Sequence, residues 1–85
     1  MQDVSARRAL GNRIRLFRSM KRMTSTNLAR SLGVSRQQIW LLESGQARFP
    51  EPQFIKRLAA LLGVREADLI SAEVRLSDPS LLDRN

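Results

Sequence analysis

Two short apolar stripes separated by a single glycine constrain this chain more than any other feature of it. Residues 25–44 read STNLARSLGVSRQQIWLLES. Leu28, Ala29 and Leu32 recur at i, i+1 and i+4, which places them on one face of a helix. Gly33 interrupts that stripe, and its lack of a Cβ permits a positive φ where the chain must reverse. Val34 follows. Ser35 is then placed to cap a second helix whose Ile39 and Leu42 face inward. Ala29 is small at the point where the two helix axes must come close.

The same periodicity extends in both directions. Leu10, Ile14 and Phe17 predict a first helix over about Leu10 to Arg22, preceded by a mobile basic arm over residues 1–9 that ends in Arg7 and Arg8. A hydroxyl at Thr24 or Ser25 caps the second helix, which ends at Leu32. The third runs from Arg36 to about Ser44, and Gly45 stops it. Residues 46–52, with Pro50 and Pro52, form a loop, and either proline can open the next helix. Helix four covers roughly Pro52 to Leu62, with Ile55, Leu58, Ala59 and Leu62 inward and Gly63 at its end. A short fifth helix follows over about Glu66 to Ser71. The expected organisation is all-α: an arm at 1–9, a five-helix domain at 10–71, and a tail at 72–85. Leu81 and Leu82 in that tail form either a short docking or dimerising helix or a frayed end.

Composition narrows the chemistry. The 85 residues contain no cysteine and no histidine. Disulfides and thiolate metal sites are therefore excluded, and the commonest metal ligand and near-neutral general base are missing. No glycine-rich phosphate loop is present, so an enzyme is not expected, and neither a cofactor nor a metal is. The apolar runs are too short to span a membrane, and the N-terminus lacks the apolar segment of a signal peptide, so a cytoplasmic protein is expected. Residues 1–48 carry ten basic and two acidic side chains, net +8, whereas residues 49–85 carry five and six, net −1. Thirteen of the fifteen basic residues are arginine, which coding bias alone can produce. Segregation of the charge onto the half with the turn-linked helices is nonetheless the footprint of a phosphate binder.

That pair of helices is the helix-turn-helix pattern, whose second helix lies in the major groove of duplex DNA. The chain resembles the Cro/repressor-type (Xre-like) helix-turn-helix family. The segments LGNRIRLFR, TSTNLARSLGVSRQQI, LESG and PEPQFIKRLAALLGV followed by DLI occur in the family's order and spacing from about Leu10 to Ile70. The resemblance implies a compact five-helix, lambda-repressor-like domain that binds an operator as a dimer and represses transcription. It implies base contacts from Arg36, Gln37 and Leu41, and phosphate contacts from Thr24, Ser25 and Arg48. It also implies an internal ion pair between Arg18 and Glu43. Two positions depart from the family: Ser25 stands where glutamine is frequent, and Trp40 and Leu41 replace residues that are usually polar.

A helical projection of α-helix three gives an independent reading. With Arg36 at 0° and steps of about 100°, Ile39, Leu42 and Glu43 cluster near 240–340°, and Gln37 and Leu41 point the other way, near 100–140°. Arg36 and Trp40 flank that side near 0° and 40°, with Gln38 on the opposite shoulder. A cation in the first helical turn opposes the macrodipole at a cost of up to ~1 kcal/mol, which contact with DNA offsets. Arginine can pair with guanine O6 and N7, glutamine with adenine N6 and N7, and leucine can pack on a thymine methyl. The alternative for Arg36 is phosphate contact alone. Trp40 has three readings: packing on helix one or the Phe49 loop, a sugar–phosphate contact through its indole N–H, or a partner contact. Gln38, Gln46 and Arg48 complete the expected backbone contacts, and Arg7 and Arg8 could reach a minor groove from the arm.

Two functions compete at this level. One is a sequence-specific regulator of double-stranded DNA, most simply a dimeric repressor, with Phe54, Leu61, Leu69 and residues 74–82 as candidate dimer contacts. The other is a protein-interaction module of the same fold, such as an antitoxin or an antirepressor-controlled partner.

Overall fold

The turns after the first, second and fourth helices are closed by local hydrogen bonds, and the helices follow from where those turns fall. The computed structural model describes residues 4–70. They form α1 (Val4–Met20), α2 (Ser25–Leu32), α3 (Arg36–Glu43), α4 (Pro52–Leu62) and α5 (Glu66–Ile70), with no strand among the described residues.

The turn between α2 and α3 is fully specified. The Thr24 hydroxyl accepts from the Asn27 N–H at 3.0 Å and starts α2. Gly33 ends it at φ +74, where its N–H donates to the Arg30 carbonyl and the Val34 N–H donates to the Ala29 carbonyl. This pair of bonds is the Schellman motif, which needs a left-handed residue and hence glycine. Ser35 and Gln38 then form a reciprocal capping box: the Gln38 N–H donates to Ser35 Oγ at 3.1 Å, and the Ser35 N–H donates to Gln38 Oε1 at 2.9 Å. Helix α4 opens on Pro52 instead of a side-chain cap and closes at Gly63 with the same left-handed geometry as α2.

The core is one cluster drawn from all five helices. Ile14, Leu28, Ile39, Leu58 and Leu69 are its largest fully buried side chains. Each contributes about 1.5–3 kcal/mol by leaving water. Phe17, Phe49 and Phe54 pack on its margin. Helix α3 rests between α1 and α2, and α5 closes the far side against α1 and α4.

Three expectations need correction. Helix α1 begins at Val4, so residues 4–9 are helix and not an arm. Nothing in Ala6-Arg7-Arg8-Ala9 breaks a helix, and these residue types have high helix propensity. The apolar stripe beginning at Leu10 marks only the part of α1 that is buried. Helix α1 also ends two residues earlier than expected, because Arg22 turns at φ +56. Leu69 is 1 % exposed and belongs to the core, so it is unavailable to a second subunit. The tail expected at 72–85, including residues 74–82, lies outside the described residues.

Gly11 sits in the middle of α1, where glycine costs about 1 kcal/mol relative to alanine. A Cβ there would lie 2.6 Å from the Glu43 carbonyl oxygen and would also collide with the Leu42 carbonyl. Gly11 therefore lets the C-terminal end of α3 approach the backbone of α1.

Candidate nucleic-acid interface

Helix α3 is anchored at both ends and on its inner face, which leaves its outer side as a rigid display. The capping box holds its first turn. At its C-terminal end Glu43 is 8 % exposed and receives both a 2.6 Å bond from Arg18 Nε and a 3.1 Å bond from an Arg18 terminal nitrogen. A bidentate guanidinium–carboxylate pair fixes orientation as well as distance. Arg18 also donates to the Met23 carbonyl at 2.8 Å, which ties the end of α1 to the entry of α2. The Glu43 bonds raise the Arg18 pKa above its ordinary value and outweigh partial burial, which acts in the opposite direction. Arg15 brings a second cation to within 3.9 Å of Glu43.

A carboxylate in the last turn of a helix is unfavourable by itself, because it meets the negative end of the macrodipole. The two arginines of α1 supply the compensation. The pair thus sets the angle between α1 and the exposed face of α3.

On that face Arg36, Gln37, Gln38 and Trp40 are all exposed. Ser25, Arg36, Gln37, Trp40 and Glu43 line one shallow cleft between the start of α2 and the outer side of α3. Gln38 spends its carbonyl oxygen on the capping box, so its amide NH₂ is what remains to face a ligand. Thr24 likewise uses its hydroxyl as an acceptor in the α2 cap. Gln46 and Arg48 are exposed on the segment after α3.

Of the two large apolar side chains expected on the outer side of α3, one is partly covered and the other is open. Leu41 is half-buried and lines an apolar pocket with Leu42, Ala47, Phe49 and Phe54. Trp40, for which packing was one reading, is 56 % exposed. The segment 47–54 folds back beneath Leu41 and leaves the Trp40 side open. Arg7 and Arg8 are carried on α1, not on an arm, and Arg8 lies against Gly45, where a Cβ would stand 2.9 Å from Arg8 Cγ. Any DNA contact they make is thus made from the first turns of a helix.

Several contributors escaped the sequence reading. The Ser35–Gln38 box had a signal, the S-x-x-Q spacing. Gly11 had one too, an unexplained glycine inside a helix. Arg15 and Arg57 had none: Arg57 donates to the Leu32 carbonyl at 2.8 Å across 25 residues of chain, capping the end of α2 with a cation. Among the described residues no His/Cys/Asp/Glu cluster could hold a metal ion, and no helix is long and apolar enough to cross a membrane.

Comparison with known proteins agrees with this geometry. The helix-turn-helix domain family matches residues 9–71. The hypothetical transcription factor NHTF from Neisseria is 29 % identical, with a TM-score of 0.73, over 89 % of this chain and 88 % of that one. The restriction-modification controller protein C.AhdI from Aeromonas hydrophila is 28 % identical, with a TM-score of 0.69, over 76 % and 97 %. SinR, solved in a complex with SinI, is 26 % identical, with a TM-score of 0.69, over 81 % and 67 %. No curated protein matches the sequence. With the family match spanning most of the chain and the turn geometry in place, this protein belongs to the Xre-like helix-turn-helix family of DNA-binding transcription regulators.

Proposed function

We propose that this protein is a sequence-specific repressor in the cytoplasm that binds an operator as a homodimer, with α3 in the major groove of each half-site. The observation that carries the proposal is the open, braced outer face of α3, where Arg36 and Gln37 project from a helix held by the capping box and by the Arg18–Glu43 pair. Arg36 and Gln37 read base edges, while Ser25, Gln38, Gln46 and Arg48 surround them as backbone contacts. Thr24 contributes through the α2 cap. A single module of this kind covers only ~600–1,000 Å² of DNA, which favours two copies on a two-fold site. The half-buried Phe54 and Leu61 on α4 and the 44 %-exposed Ile70 on α5 offer an apolar surface for pairing.

Selection of bound fragments from random duplex DNA tests this directly. Replacing Arg36 or Gln37 by alanine should then cost ~1–3 kcal/mol on the selected duplex and little on random DNA. Equal losses on both would reassign that residue to phosphate. A second reading, a module that binds a regulatory protein, is favoured by one observation: Trp40, Leu16 and Met20 are large apolar side chains at 46–69 % exposure. SinR, one of the similar structures, was solved in a complex with another protein, SinI. Under that reading, affinity for random duplex would lack the steep fall with salt, about −0.9 per phosphate contacted, that a DNA binder must show.

A further inference from the structure

We infer that Trp40 is a specificity-determining residue that senses the C5-methyl group of a pyrimidine in the major groove. The inference rests on α3 being the helix that enters the groove.

Trp40 projects between the two residues assigned to base edges. On the axis of α3 it stands near 40°, with Arg36 near 0° and Gln37 near 100°. The three side chains line the same cleft with Ser25. Leu41, the other apolar candidate on this helix, is half-buried in the pocket formed with Phe49 and Phe54. The large apolar surface left facing outward on α3 is therefore the indole, at 56 % exposure.

The major groove presents donors and acceptors on every base pair but only one apolar group, the C5-methyl of thymine; cytosine gains the same group when methylated. An aromatic ring bordered by a guanidinium and a carboxamide suits a step in which a methyl-bearing pyrimidine lies beside a hydrogen-bonded base. Trp40 follows Arg36 by one helical turn, about 6 Å of rise, which corresponds to one or two base pairs along the groove. The methyl read by Trp40 should thus lie within two base pairs of the base read by Arg36.

The test uses the full chain and the duplex recovered by selection from a random library. Thymines are replaced one at a time by deoxyuridine, which removes only the methyl. One position per half-site should lose about fourfold in affinity, the worth of one apolar carbon leaving water. Placing cytosine there and methylating it at C5 should return a similar factor, which separates the methylcytosine source from thymine. Trp40→Ala should erase the thymine–deoxyuridine difference at that position alone. Trp40→Phe, which keeps an aromatic face without the N–H, should retain it. Because the ring is exposed, both variants should melt close to the parent, and circular dichroism checks this. An unchanged thymine–deoxyuridine ratio in Trp40→Ala overturns the inference while leaving groove binding intact. Loss of the ratio in Trp40→Phe as well as in Trp40→Ala assigns the ring to an indole N–H contact and also overturns it. Failure to select any duplex overturns both this inference and the proposed function.

Discussion

Replacing Glu43 by alanine tests whether α3 is braced as described. The substitution removes the acceptor for both Arg18 bonds, at 2.6 and 3.1 Å, and leaves a guanidinium whose side chain is only 18 % exposed. Stranding one partner of a fully buried pair costs ~3–5 kcal/mol. An exposed pair is worth at most ~1 kcal/mol. Arg18 lies between these limits: it keeps its bond to the Met23 carbonyl and a path to water. Two smaller effects favour the variant, since alanine is the better helix former and the carboxylate no longer opposes the α3 dipole. The net expectation is a loss of about 2 kcal/mol, toward the middle of the range. For a domain of this size that lowers Tm by about 8–16 °C. Thermal melting by circular dichroism measures it, and binding to the selected duplex well below Tm should weaken as well, because the angle of α3 is no longer held. An apolar pair, Arg18→Met with Glu43→Leu, should recover most of the lost Tm, since an apolar core tolerates replacement of both charges better than loss of one. An unchanged Tm in Glu43→Ala would refute the reasoning outright.

Two glycines separate crowding from backbone conformation. Gly11→Ala should destabilise the domain by about 1–3 kcal/mol despite the gain in helix propensity, because the new Cβ meets the Glu43 carbonyl at 2.6 Å. Gly33→Ala meets nothing within 4 Å, so its cost of about 1 kcal/mol should come only from φ +74. Denaturant titration of both variants checks the difference, and a stabilised Gly11→Ala would show that α1 and α3 are further apart than described. Ser35→Ala removes the hydroxyl half of the capping box and should cost about 0.5–2 kcal/mol, read as a lower denaturation midpoint with an unchanged m-value.

The two glycine-closed turns and the caps of α2 and α3 were legible in the chain itself. Each depends on groups at most five residues apart: Thr24 with Asn27, Ala29 with Val34, Ser35 with Gln38. Such bonds form wherever that short stretch adopts its preferred backbone, so residue type and spacing suffice. The inward positions Leu28, Ile39, Leu58 and Leu62 followed from periodicity for the same reason. Residues 4–9 carry no apolar stripe and yet are helical, because helix formation needs no burial: α1 runs for more than a turn before Leu10, its first buried side chain.

Which side chains of α3 face outward could not be read locally. Leu41 and Trp40 are adjacent in the chain and about 100° apart on the projection, and pattern alone favours Leu41 for the groove. The return of the chain through Ala47, Phe49 and Phe54 covers one and leaves the other open. Likewise, Gly11 beneath Glu43 and Arg57 at the end of α2 acquire their roles from partners 25 or more residues away. Local bonding is encoded where it acts, but the exposure of a side chain is a property of everything packed around it, and that exists only once the five helices have closed on their common core.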